Sequence, residues 1–312
     1  MTDFLHNHKS FNDLLLILEG EKRIVPGLLE KDYWIMHCLW GMQQLGLSFE
    51  LKGGTSLSKG FDIIERFSED IDIQIHPDKE LGVKSGKNQD KPLHIESRKN
   101  FFAHITECLI IEGLQFARDH SFDDHIKMRG AGIRGEYQSF FNSVPGIKEG
   151  ILLEVGFDKT TPNLARDITS FAYEKAASLR LGIIDNRAMG VYCYAPEYTF
   201  VEKLQAISTK YRIQQQDTAM PVNFLRHYYD VYRLLELDRV VNFIGSSEYN
   251  AHKERRFRGN DELDLKKNEA FTIPNQSVRK LYSEEFKKKS AMYFGKQVEF
   301  EEMLDRINKY VM

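Results

Sequence analysis

Lys52-Gly53-Gly54-Thr55-Ser56-Leu57-Ser58-Lys59-Gly60 and, a few residues on, Arg66-Phe67-Ser68-Glu69-Asp70-Ile71-Asp72-Ile73-Gln74-Ile75 are the segments on which the reading of this chain turns. Ser48 to Lys52 reads as a short strand that delivers the chain into the Gly53-Gly54 turn, and a helix is predicted from Thr55 to Ile64. From Asp70 the pattern alternates with period two, so Asp70, Asp72 and Gln74 share one face of a strand and Ile71, Ile73 and Ile75 the other. Carboxylates two apart on a strand project the same way, about 6 to 7 Å from each other. That spacing suits divalent cations held by hard oxygen ligands. The glycine turn permits close backbone approach, and Thr55 and Ser56 can donate hydrogen bonds to phosphate oxygens. Lys59, Arg66 and Ser68 are further candidates for phosphate contact, each with the plainer alternative of a solvated polar side chain. Two acids on a strand are ordinarily a solvated edge, and a lone Gly-Gly is weak. Separated by only a helix and a turn, they point together to a metal-bound nucleoside triphosphate.

Around this centre the composition is that of a soluble globular protein. The chain has 312 residues, 42% hydrophobic and 29% charged, a length that permits two domains. A formal charge of -3 supplies no global basic field, so any nucleic acid has to be held by a local patch. Cys38, Cys108 and Cys193 are odd in number, far apart and without a Cys-x-x-Cys pair, which argues against a disulfide framework and structural zinc. Met1 to Ser10 lacks the basic and apolar segments of a secretion signal, and no apolar run approaches the roughly 20 residues of a membrane span. The expectation is a cytoplasmic protein that does not meet a membrane.

Helical spacing predicts a first helix through Phe11, Leu14, Leu15 and Leu18 up to a break at Gly20, and a second from about Pro26 to Leu45. The polar stretch His76 to Lys91 reads as a mobile loop, followed by a long helix from about Leu93 to Ala117. Ile126 to Arg129, Tyr137 to Phe141 and Ile151 to Phe157 read as strands of one sheet, separated by Gly130, Gly135 and Pro145-Gly146, and Val191 to Tyr194 as its last. Beyond residue 195 helices dominate: one opened by Pro196, one from near Pro221, and two at about Gln276 to Ser290 and Phe300 to Val311. The charged stretch His252 to Lys267 reads as a loop. The predicted fold is α/β (α+β), with residues 1–195 forming a mixed sheet with flanking helices and residues 196–312 a helical domain that completes the active-site cleft.

Lys52 to Lys59 with Arg66 to Asp72, together with Glu30-Lys31-Asp32-Tyr33-Trp34, Pro196 to Leu204 and Arg226 to Tyr232, resemble the AbiEii/AbiGii-type nucleotidyltransferase toxins of the DNA polymerase beta superfamily. The likeness spans roughly residues 25 to 240. It implies a polymerase-beta-like sheet and a magnesium-dependent transferase, usually the toxin of a toxin-antitoxin or phage-defence pair, with relatives that add nucleotides to tRNA 3′ ends. It places the metal carboxylates on Asp70 and Asp72, the phosphate loop on Gly53, Gly54, Thr55 and Ser56, and a later lysine and aspartate on Lys203 and Asp230. An ammonium at Lys203 suits the triphosphate, and a carboxylate at Asp230 suits orienting a basic group, its plainer alternative being a helix pair with Arg226 or Arg233. Superfamily members carry a third carboxylate as general base, here Glu154 in the apolar run Ile151 to Phe157, with Asp158 the alternative. Glu30, Lys31 and Asp32 read as surface pairs of a helix, with support of the catalytic loop the role implied by the likeness. Basic residues at Lys253, Arg255, Arg256, Arg258, Lys266, Lys267 and Lys287 to Lys289 are candidates for an RNA backbone, yet they alternate with acids. Tyr228, Tyr229 and Tyr232 read as core. The implied partners are a nucleoside triphosphate, an RNA acceptor and a cognate antitoxin. The donor chemistry leaves two rivals open: nucleotidylation of a protein or small molecule, and a silent protein that binds nucleotide or docks a partner.

Overall fold

In the computed structural model, residues 2–142, 144, 147–217, 219–257, 259–289 and 292–311 are described. Pro145, Gly146 and Arg258 lie outside them. The chain divides into two compact units, one of residues 1–60 and 68–194, the other of residues 61–67 and 195–312.

The first unit is built on a mixed sheet of seven strands among the described residues, in the order β3-β4-β5-β2-β1-β7-β6. These are β1 (Phe49–Lys52), β2 (Asp70–Ile75), β3 (Gln115–Asp119), β4 (Gly130–Glu136), β5 (Ile151–Gly156), β6 (Asn163–Ile168) and β7 (Ala188–Tyr194). β2 lies at the centre, antiparallel to β1 and parallel to β5. Its period-two pattern decides what it buries. Ile71, Ile73 and Ile75 are 2% exposed or less, each contributing about 1.5 to 3 kcal/mol of apolar burial. Helix α1 (Phe11–Lys22) runs through Gly20, and α2 (Pro26–Gln44) packs on β5 and β7. Between β1 and β2 lie the short helix α3 (Gly53–Thr55) and one turn of π-helix, Ser56–Gly60, in place of the longer helix predicted to reach Ile64. The unit is completed by α4 (Pro92–Cys108) and α5 (Phe171–Ser178).

Other departures from the sequence pattern have local causes. α4 stops at Cys108 because the chain turns back at Gly113, which adopts φ +78° against the Trp34 ring, and Gln115–Asp119 then pairs with β4. Ile126 to Arg129 is a turn built on the Asp124 carboxylate, which accepts the N–H groups of Ile126, Lys127 and Arg129. Tyr137 to Phe141 is irregular: Glu30 accepts the Phe140 N–H (3.1 Å) and the Ser139 hydroxyl (2.6 Å). The stretch predicted to be a mobile loop, His76 to Lys91, is anchored by the buried Arg98, whose guanidinium donates to the carbonyls of Lys84 and Gln89.

The second unit is helical: α6 (Pro196–Asp217), α7 (Arg226–Leu234), α8 (Asp238–Val241), α9 (Ser247–Arg256), α10 (Glu269–Thr272), α11 (Gln276–Lys287) and α12 (Phe300–Val311). Phe200, Val201, Leu204 and Ile207 form the buried face of α6, and α7 packs between α6 and α12. Tyr228 and Tyr229 are buried, with the Tyr228 hydroxyl donating to Ala270 O at 2.6 Å. α9 runs into the segment predicted to be a loop because Ser246 caps it, accepting the Tyr249 N–H, and Tyr249 and His252 bury a stripe three residues apart. Residues 61–67 join this unit through ladder-like contacts, Phe67 N–H to Met292 O (2.9 Å) and Phe294 N–H to Glu65 O (3.0 Å).

Candidate active site

The carboxylate face of β2 is made by register. Asp72 is the partner of Glu154 on β5 and Asp70 of Leu152, so Asp70, Asp72 and Glu154 all stand on the same side of the sheet. The turn after β1 closes on them. Gly53 adopts φ +71°, and a Cβ there would fall 2.1 Å from Asp72 Oδ2, so only glycine lets the backbone lie against this carboxylate. The Thr55 hydroxyl donates to the Asp70 carbonyl and lies 3.0 Å from the Ser68 hydroxyl, tying the turn to the start of β2. Thr55 and Ser56 are fully buried, and the Thr55 hydroxyl serves the fold of the turn; Gly54 is buried as well. Asp158 lies past the end of β5 in an exposed stretch.

A residue that sequence reasoning missed sits on this face. Lys148, just before β5, places its ammonium 3.0 and 2.9 Å from the two Asp70 oxygens and 3.9 Å from Glu154 Oε1. Its backbone is clamped on both sides: Glu69 Oε2 accepts the Lys148 N–H at 2.8 Å, and Lys31 Nζ donates to the Lys148 carbonyl at 2.6 Å. Glu69 and Lys31 are each 2% exposed. The available signal was a basic residue at the start of the strand that carries Glu154.

Glu30, Lys31 and Asp32 are therefore buried, in contrast to the surface pairs predicted for α2, because each has a partner distant in sequence. Glu30 holds Ser139 and Phe140, Lys31 holds Lys148, and Asp32 accepts the Phe171 N–H at 2.9 Å while pairing with Lys59. Burial lowers the Lys31 ammonium to about 8 against the pull of Glu69 and Asp70. Lys59, a phosphate candidate in the sequence, is spent on Asp32 and on the Thr169 carbonyl (2.9 Å).

In the second unit, Arg66 reaches Asp230 through a bidentate pair, Nε to Oδ1 at 2.6 Å and Nη2 to Oδ2 at 2.8 Å, and Lys203 Nζ lies 3.0 Å from Oδ2. Arg66 and Asp230 are essentially inaccessible and Lys203 is 8% exposed. Burial alone would raise the Asp230 carboxyl, but Arg66 and Lys203 overcome it and hold the group well below the usual carboxylate range. Burial lowers the Lys203 ammonium, with Asp230 opposing. Arg66 is thus the partner of Asp230, while Arg233 turns to Glu65 and Glu236. Many of the basic residues weighed for RNA have acidic partners here: Arg256 meets Glu202, Lys267 meets Asp264, Lys287 meets Glu299 and Lys288 meets Glu285.

The nucleotidyl transferase AbiEii toxin family profile, a type IV toxin-antitoxin family, matches residues 35–306. The chain belongs to this family. It is accordingly a nucleotidyltransferase; the match overlaps the resemblance read from residues 25 to 240, starting after Glu30 to Trp34 and running on to residue 306. A type IV toxin-antitoxin family implies an antitoxin partner for this AbiEii member. Among solved structures, an antigenic nucleotidyltransferase-like protein from Paracoccidioides brasiliensis is similar at 13% identity and TM-score 0.35, over 72% of this chain and 87% of that one. Terminal uridylyl transferase 4 from Trypanosoma brucei is similar in two structures, with bound UPU (11% identity, TM-score 0.27) and with bound dUTP (10%, 0.28). These alignments cover 74% and 73% of the AbiEii-family chain but only 59% and 58% of the uridylyl transferase. Comparison with curated proteins gives no match. No described helix is long and apolar enough to cross a membrane.

Among the described residues no three His, Cys, Asp or Glu side chains gather into a preformed metal cage. The donor set nonetheless fits a divalent cation: Asp70 and Asp72 are hard oxygen ligands on one strand face, a cation already rests on Asp70 in the form of the Lys148 ammonium, and the space beside Asp72 is kept open by a missing Cβ.

Proposed function

We propose that this AbiEii-family protein acts as a toxin by transferring a nucleotide from a nucleoside triphosphate to the 3′ hydroxyl of an RNA, a tRNA 3′ end being the acceptor that the family resemblance favours. The observation that carries the reading is the carboxylate face of Asp70, Asp72 and Glu154 against the Gly53 turn, in a chain of this family. Asp70 and Asp72 would hold Mg2+, which supplies charge neutralisation of the phosphates and activation of the attacking oxygen. The turn from Gly53 to Ser56 lines the donor site with backbone, and Ser68 lies at its edge beside Thr55. Glu154, on the same face, is suited to accept the proton of the incoming hydroxyl. A bond forms between that oxygen and the α-phosphorus, the bond from the α-phosphorus to the bridging oxygen breaks, and pyrophosphate leaves. In this proposal Lys203 contacts the triphosphate, held in place by Asp230, which Arg66 in turn neutralises.

The test is incubation of the protein with labelled nucleoside triphosphates, Mg2+ and total cell RNA or protein. Label is expected in the RNA fraction, in short species, and lost by roughly a thousandfold in the double variant Asp70→Asn, Asp72→Asn. Label in protein or a small molecule instead would replace the acceptor, label in nothing with nucleotide still bound would favour the silent binding protein, and undiminished transfer by the folded double variant would refute the site.

A further inference from the structure

Lys148 does more than fill space between acids. Its ammonium straddles both Asp70 oxygens at nearly equal distance and stands within 3.9 Å of Glu154, at 4.5 Å over the Phe122 ring. A cation bound to the same two oxygens cannot share them with that ammonium. The fold spends two nearly inaccessible charged residues, Glu69 and Lys31, on fixing the Lys148 backbone, while the side chain itself keeps 25% of its surface exposed. Next to it opens a polar cavity of about 350 Å³, lined by Lys148 and Lys31 with Tyr137, Ser139 and Asn142. The root of this side chain is thus anchored and its head has room to move. A lysine head is a compact, strongly hydrated charge on a flexible stem, suited to phosphate oxygens.

We propose that Lys148 is a substrate-contacting residue of the nucleotidyl transfer, which holds the Asp70 carboxylate until a divalent cation claims it and then swings onto the phosphate chain of the nucleoside triphosphate. The proposal rests on the reading of Asp70 as a metal ligand made above. Glu69 and Lys31 act through Lys148 and are positioning residues. The exchange makes a definite signature, because removing the ammonium frees the metal ligand but deprives the nucleotide of a contact.

Calorimetric titration of the full chain with Mn2+ alone, and then with a triphosphate whose α-β bridge cannot be cleaved, reads both effects without turnover. Lys148→Met is expected to bind Mn2+ about three- to fivefold more tightly than wild type, since a partly exposed ion pair no longer competes. The same variant is expected to bind the triphosphate analogue in Mn2+ about tenfold more weakly, having lost a charge-assisted hydrogen bond. Lys148→Arg supplies a second measurement should the apolar substitution unfold: a guanidinium that grips Asp70 bidentately is expected to weaken Mn2+ binding. Unchanged or weaker Mn2+ binding by a folded Lys148→Met protein overturns the proposal, as does Mn2+ binding insensitive to Asp70→Asn. Opposite shifts in a protein whose wild type transfers no nucleotide would uphold the exchange and sink the transferase reading, whereas active transfer with no shift would sink the role of Lys148 alone.

Discussion

Gly53→Ala isolates the contact between the glycine turn and the carboxylate face proposed to carry the transfer. Two separate penalties arise. The left-handed φ of +71° costs an alanine about 1 to 2 kcal/mol. The added Cβ would lie 2.1 Å from Asp72 Oδ2 and 2.9 Å from its Cγ, so the carboxylate has to retreat by roughly an ångström to reach ordinary contact. A displacement of that size at a reacting group costs on the order of a hundredfold in rate, about 2.7 kcal/mol of transition-state stabilisation. Gly46→Ala separates the two terms. Gly46 has φ +72° and nothing within 4 Å of its missing Cβ, so its alanine bears the backbone penalty alone. Both variants are expected to melt a few degrees below wild type, by roughly 2 to 4 °C per kcal/mol. Only Gly53→Ala should lose transfer, measured as kcat/KM with a labelled triphosphate and the acceptor fraction that takes label. If Gly53→Ala transfers within about threefold of Gly46→Ala, the turn does not set the Asp72 carboxylate and the reasoning fails.

Asp230→Asn leaves Arg66 and Lys203 buried without their carboxylate, and a loss of about 3 to 5 kcal/mol in urea unfolding is expected. The folded Asp230 pKa lies below the unfolded value of about 3.9, so its stabilisation is complete above that pH and drains as the pH falls toward the folded value. The gap between wild type and Asp230→Asn should therefore close in acid, and a gap independent of pH down to acid unfolding would contradict the pairing. Lys31 titrates near 8 when folded and about 10.4 when unfolded, so its burial penalty is full below pH 8 and is relieved as the pH rises between those values. Thermal melts of wild type minus Lys31→Met should show stability gained across that alkaline window, and a flat difference would mean that Lys31 is not held as a buried ammonium.

The sheet face was legible because Asp70 to Ile75 alternates without exception, and period two can bury only one of its two sets. The glycine turn was legible as a turn, though not the burial of its hydroxyls, since only the fold shows that Thr55 is consumed by the Asp70 carbonyl and Ser68. β3 was hidden because Ile105 to Ile111 continues the apolar run of α4, and nothing local distinguishes Phe116 and Ala117 from another helical turn until β4 pairs with them. Glu30, Lys31 and Asp32 were misread because charge in a helix defaults to the surface, and what draws them inside lies from 27 to 139 residues away along the chain. Lys148 was hidden for the same reason. Its meaning lies in Asp70, with which it shares no sequence pattern.

Residues 61–67 belong to the helical unit although the chain on both sides of them belongs to the sheet. Synthesis therefore delivers the link between the glycine turn and β2 long before the residues that fix it. Arg66 waits for Asp230, 164 positions later, and a ribosome has to pass the middle of α7 before the guanidinium can be neutralised. A chain cut near residue 195 is not a domain with its neighbour removed but a sheet left holding an orphaned arginine on the very loop that enters its central strand, β2.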